Sequence, residues 1–207
     1  MKKLLCLIFP LVAFLAAMAQ EGSSTYKEFI EKHREAYKQD FIADERSPLK
    51  EKDLDGLQFY APNEAFKVAC TLELTPDEKP FEMPTSSGRT KPFRKYGILH
   101  FEIGGVPCQL AVYQNIGLRN MPQYAQHLFL PFRDLTNGET TYGGGRYIDL
   151  SVADLEVDKP ELDFNKCYNP WCHYSDGYNC PIPPTENNLE VAIEAGEKLW
   201  IGEKKHK

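Results

Sequence analysis

"GILHFEIGGVPCQLAVYQN", residues 97–115, places two alternating apolar runs on either side of Gly104-Gly105. Alternation of this kind marks a half-buried strand, and paired glycines supply the positive φ that a two-residue hairpin turn demands. Folding the stretch about that pair sets Ile103 opposite Val106, Phe101 opposite Cys108 and Leu99 opposite Leu110. Each pair brings apolar side chains together, so the turn and the hydrophobic pattern specify one register. An antiparallel sheet is the expected centre of the chain.

Working outward, "FKVACTLEL" (66–74) puts Phe66, Val68, Cys70, Leu72 and Leu74 on one face of a strand. Cys70 and Cys108 then both point inward, as packed thiols or, less expected, as a bridge. "LFLPFRDLTNGETTYGGGRYIDL" (128–150) reads as a second hairpin turning at Asn137-Gly138, with Asp134 opposite Thr141 and Arg133 beside Tyr142. "LDFNKCYNP" (162–170) and "NNLEVAIEAGEK" (187–198) alternate as well, the second through Leu189, Val191 and Ile193. Before the strands the period changes to three and four. Phe29, Ile30, His33, Tyr37 and Phe41 then form the apolar stripe of an amphipathic helix. The fold class is mainly β (α+β), an antiparallel sandwich or partly closed barrel of six to eight strands with that helix at its N-terminal side. Residues 20–60 form the helix and its connection, residues 61–207 the β domain, and the two pack as one unit.

The first residues, "MKKLLCLIFPLVAFLAAMA", carry two lysines, an apolar run and a small-x-small site at Ala17–Ala19, the order of a signal peptide spanning residues 1–19. Export to the periplasm or the extracellular space is expected, with no transmembrane segment once the signal is removed. Loss of Lys2 and Lys3 leaves 22 basic against 30 acidic residues, a formal charge of −8. So acidic a chain is a poor nucleic-acid binder, because phosphate contacts need a basic surface. In an oxidising compartment the five remaining cysteines, Cys70, Cys108, Cys167, Cys172 and Cys180, are open to disulfide formation.

"YNPWCHYSDGYNCPIPP" (168–184) concentrates cysteine, histidine and aromatic residues. The spacing lacks the close cysteine pairs of a structural zinc site, and adjacent Cys172 and His173 converge poorly on one ion. No metal or other cofactor is expected. A thiol enzyme would require His173 or His127 as base, with no nucleophile pattern to support it. A Cys172–Cys180 disulfide stapling a loop poor in apolar residues is the leading reading. Gly143-Gly144-Gly145 is open to two readings, an anion-binding nest or a bend in the strand.

The richest set of oriented polar groups is Arg133, Asp134, Tyr142, Arg146, Asp163, Asn165, Tyr168 and Asn169. Arginine forks match carboxylates and phosphates, and Asp or Asn accepts from hydroxyls and amines. These eight residues are the candidate ligand-binding cluster, for a small polar or anionic molecule. A hydrolase with Asp163 or Asp134 as general base is a second reading, and a purely internal Arg-Asp network a third; enzyme activity is left open.

The two long stretches at 128–150 and 162–189, with "FYAPNEAFKV" (59–68) and "AGEK" (195–198), resemble the domain-of-unknown-function family numbered 1684, found in bacteria and archaea. Its sharpest motifs fall on Phe132–Asp134, Tyr142–Tyr147 and Tyr168–Pro184. The resemblance implies no activity. It implies a paired role for Cys172 and Cys180, whereas Cys167 and His173 stand where the family usually has other residues, which weakens a cysteine-histidine metal site.

Overall fold

Fourteen residues, Thr90–Ile103 (β4), run antiparallel to Val106–Asn115 (β5), and the pairs Ile103–Val106, Phe101–Cys108 and Leu99–Leu110 all form. Gly104 and Gly105 take φ values of +57° and +81°, a conformation side chains with a Cβ rarely adopt. The structure, a computed structural model, describes the backbone of residues 9–206 and the side chains of residues 25–206. The expected signal segment, residues 1–19, lies outside the residues described in full.

The remaining strands are Lys67–Ala69 (β1), Thr71–Leu74 (β2), Phe81–Pro84 (β3), His127–Phe132 (β6), Arg146–Ser151 (β7) and Glu161–Asp163 (β8). The main sheet has the order β2-β4-β5-β6-β7, with β3 beside the other end of β4, while β1 and β8 form a separate antiparallel ribbon. The result is a mainly antiparallel β fold with an N-terminal helix, and the sheet does not close into a barrel. Among the described residues no helix is long and apolar enough to cross a membrane.

A β-bulge between Lys95 and Gly97 organises the faces of the sheet. One extra residue reverses the parity of side chains along the strand. Phe93, before the bulge, therefore packs with Met83, Tyr113, Phe129 and Tyr147 on one face. Leu99, Phe101 and Ile103, after it, pack with Leu110, Val112, Leu128, Leu130 and Phe132 on the other. That second face carries the larger core and is covered by Leu162, Phe164, Leu189, Ile193 and Ala195.

Four expectations need correction. "LDFNKCYNP" is a strand only to Asp163, whose carboxylate accepts from Asn165 N and caps a 3-10 turn over Phe164–Lys166, so Leu162, Asp163, Phe164 and Asn165 are all buried. "FKVACTLEL" keeps its alternation only as far as Leu72, Leu74 being 53% exposed, and it breaks at Cys70, whose amide donates to Pro160 O, so the chain leaves the ribbon there and joins the main sheet. Residues 133–145 are a long loop rather than a tight hairpin, for β6 and β7 pair only from Phe132–Arg146 onward. Asp134 explains this: its carboxylate accepts from the amide and hydroxyl of Thr136 and from the amide of Ile193, capturing the chain before it can pair with Thr141. Finally, 187–198 forms no strand; it runs extended beside the loop, held by Leu189 N to Arg133 O and Leu135 N to Val191 O, with Leu189 and Ile193 buried.

Helix α1, Phe9–Ala43, buries Ile30, Arg34 and Phe41, while Phe29 is 51% exposed. The buried stripe thus lies a little to one side of the expected one. Arg34 takes an inner place because its guanidinium donates to Tyr60 O at 2.7 Å and lies 4.7 Å above the Phe59 ring. A second helix, Val152–Leu155 (α2), is one turn closed by a reciprocal Ser151–Asp154 cap.

Candidate functional site: a cleft between helix and sheet

The eight residues singled out by their chemistry fall into separate places. Arg146 and Asp134 form a 2.8 Å ion pair whose side chains are wholly buried. Arg146 also donates to the carbonyls of Ile193 (2.8 Å) and Ala195 (2.5 Å), tying the 187–198 segment to β7. The pair is an internal fastening, out of reach of any ligand. Among the described residues Arg133 and Tyr142 form no cation–π pair; Tyr142 lies 4.7 Å from the His173 ring, and Arg133 holds Asn187 and Leu189 through its backbone.

Asp163 and Asn165 make a second internal set. Asp163 Oδ1 accepts from Tyr26 OH, Asn165 N and Asn165 Nδ2, and Asn165 Nδ2 also donates to Asn63 O. These bonds pin α1 to the segment after β8. Asn169 belongs to a third set, donating from its amide to Glu197 at 2.8 Å. Glu197 is fully buried and accepts further from Tyr174 OH (2.5 Å) and Tyr37 OH (3.0 Å). Burial outweighs these three donors and raises the Glu197 pKa to about 7.

Tyr168 alone of the eight faces a cleft, of roughly 1270 Å³, between α1 and the smaller-core face of the sheet. Phe93, Asn115, His127, Phe129, Tyr147 and Asp149 form its floor, one residue in two along β4 to β7. Tyr37 and Phe41 of α1 face them, and Tyr168, Trp171 and Tyr178 close the side. Phe93 stacks on Phe129 at 5.7 Å and Phe129 meets Tyr147 edge-on at 4.7 Å, so the floor is a continuous ring surface. Across it runs a polar string. His127 Nε2 donates to Asp149 Oδ1 at 2.9 Å and Tyr168 OH to Asp149 Oδ2 at 2.7 Å. Burial, then the Asp149 charge, raises the Tyr168 pKa well above that of a free phenol, so this hydroxyl stays a donor.

The loop behind the cleft carries the disulfide Cys172–Cys180. Ser86 ties it to the β3 end, its hydroxyl 2.9 Å from Cys172 Sγ and accepting from Cys180 N at 3.2 Å. Cys70, Cys108 and Cys167 are free thiols, and burial pushes Cys70 and Cys167 up to about 11, away from the thiolate that a nucleophile needs. His173 is no base for them: its Nε2 accepts from Trp200 N at 2.9 Å, and burial lowers its pKa to about 4. Among the described residues no group of three or more His, Cys, Asp or Glu could hold a metal ion.

Lys91 and Asp149 stand outside the clusters of polar chemistry in the sequence, and His127 was expected only as a candidate thiol base. Their signal was parity: Lys91 alternates with Phe93, and Asp149 with Tyr147, so both share the face of a buried ring.

The fold and cleft define an antiparallel-sheet protein in which one face is a packed core and the other is shared with an N-terminal helix across an open, ring-lined groove. The chain belongs to the family described as "Protein of unknown function (DUF1684)", which matches residues 52–198. No curated protein matches it. It is similar to the solution NMR structure of an uncharacterized protein of Haloarcula marismortui, at 31% identity and a TM-score of 0.64, over 86% of this chain and 96% of that one.

Proposed function

We propose that this protein is exported and binds a small organic molecule in the cleft between α1 and the sheet. One observation carries the reading: eight aromatic rings surround a cleft of roughly 1270 Å³ that also holds the His127–Asp149–Tyr168 string. Ring-lined concavities with a few fixed polar groups suit a ligand with an apolar body and one or two hydrogen-bonding groups. The Arg146–Asp134 pair serves the fold, and neither Asp134 nor Asp163 faces the cleft, so a general-base role for either has no geometric support.

The neutral fluorophore N-phenyl-1-naphthylamine tests the reading. A saturable fluorescence rise at one site is expected with the wild-type protein. Ala36→Trp, which fills the cleft from the helix side, should abolish it without moving the thermal unfolding midpoint. Equal binding to both proteins, or none to either, would remove the cleft as a binding site. Intact mass of the exported protein, starting at Gln20, checks signal removal.

A further inference from the structure

Two donors stand without acceptors at the end of the cleft where β4 begins and β5 ends. Lys91 lies two residues before Phe93 in β4 and lines the cleft, yet its ammonium makes no ion pair or hydrogen bond among the described residues. Asn115, the direct cross-strand partner of Phe93, uses Oδ1 to accept from Leu118 N at 2.9 Å, and its Nδ2 makes no hydrogen bond among the described residues. Asn179 repeats the pattern in the wall alongside: Thr85 and Ser87 hydroxyls donate to its Oδ1, and its Nδ2 has no acceptor among the described residues.

The other charges of the cleft are accounted for. Arg46 is paired with Asp44 at 2.8 Å, and Lys166 sits 5.0 Å over the Phe29 ring. Asp149 is held by His127 and Tyr168, and Asp40 of α1 and Glu45 just beyond its end stand exposed. Burial alone depresses the Lys91 pKa, with no carboxylate near enough to offset it. A half-buried ammonium lacking a counter-charge is costly in the empty protein, and an anion brought by a ligand would relieve that cost.

We infer that this end of the cleft is an anion subsite, in which the Lys91 ammonium and the Asn115 and Asn179 side-chain amides hold the carboxylate, sulfonate or phosphate head of a ligand whose apolar body lies on the Phe93–Phe129–Tyr147 rings. The inference rests on the ligand-binding reading above and names the ligand class: an amphipathic organic anion. Lysine and amide donors set beside a ring surface match such a molecule at both ends.

Two fluorophores separate the claims, because 8-anilinonaphthalene-1-sulfonate is N-phenyl-1-naphthylamine with a sulfonate added. The wild-type protein should bind the sulfonate about tenfold more tightly than the neutral probe. Lys91→Met should collapse that ratio to near one, and Lys91→Arg, which keeps the charge, should restore most of it. A ratio that Lys91→Met leaves intact, with both probes bound, overturns the subsite and spares the cleft. Failure of both probes to bind the wild-type protein overturns both. Competition then identifies the anion's carrier. Decanoate and phenyl phosphate should displace the sulfonate probe, whereas inorganic phosphate at equal concentration should not; displacement by inorganic phosphate alone would mean a free oxyanion site and would overturn the amphipathic ligand.

Discussion

Arg146 shows how far partners decide what a charge does. In isolation its guanidinium is a recognition group; here it is wholly buried, with Asp134 and backbone carbonyls around it. Removing it leaves the Asp134 carboxylate inside without its cation, the condition that makes a broken buried pair strongly destabilising. Arg146→Met, which keeps most of the volume, should lower the unfolding free energy by about 3–5 kcal/mol in urea titrations. A loss below about 1 kcal/mol would mean that the bonds from Thr136 and Ile193 to Oδ1 suffice to hold the carboxylate when Oδ2 loses Arg146. Residue chemistry read from the sequence picked out Arg146 and Asp134 as partners in kind. It could not say whether the pair faces solvent or core, because that depends on the 187–198 segment folding over them.

Among elements, the first hairpin was legible because its register needs only local facts, a turn that demands glycine and a matching apolar pattern. The second failed for a physical reason. Asn137-Gly138 does turn, with Gly138 at φ +86°, but the Asp134 side chain offers competing bonds and β6 meets β7 only beyond a second turn at Gly145. Gly145, at φ +91°, approaches so close that an added Cβ would lie 2.6 Å from Phe132 O. The loop of the disulfide is the other element whose tether was readable. Closing eight residues of separation should contribute about 2–3 kcal/mol through the unfolded chain. The double replacement Cys172→Ser with Cys180→Ser should lose that amount in denaturant titrations under oxidising conditions. An unchanged midpoint would show that the Ser86 and backbone bonds hold the loop without the bridge.

Across the whole molecule, two buried titrating groups set opposing responses to pH. Glu197 has its pKa raised from 4.5 to about 7, so its contribution to stability is fully present below pH 4.5 and is lost as pH rises through about 7. His173 is lowered from 6.5 to about 4, so its contribution is present above pH 6.5 and is lost as pH falls through about 4. Glu197→Gln removes the first response only. Its stability relative to wild type should therefore improve by about 3 kcal/mol between pH 4 and pH 8, followed by denaturation at each pH. A difference that does not vary with pH would place the Glu197 titration outside this window. Glu197 lies between α1, through Tyr37, and the chain after β8, through Asn169. The measurement thus also reports on how firmly the helix wall of the cleft is seated.

The amino-acid sequence by itself determined the features that short-range chemistry can specify: the central hairpin and its register, the N-terminal helix, the cysteine pair closing a loop, and the family to which the chain belongs. Each rests on residues near one another in the chain. Tertiary structure alone decided which polar groups became internal fastenings and which line the cleft. Burial and partner choice are sums over segments far apart in sequence: Tyr26 with Asp163, Tyr37 with Glu197, Arg146 with the 193–197 carbonyls. The bulge between Lys95 and Gly97 completed the division, since one extra residue in β4 turned Lys91 and Phe93 toward the cleft and Leu99 toward the core.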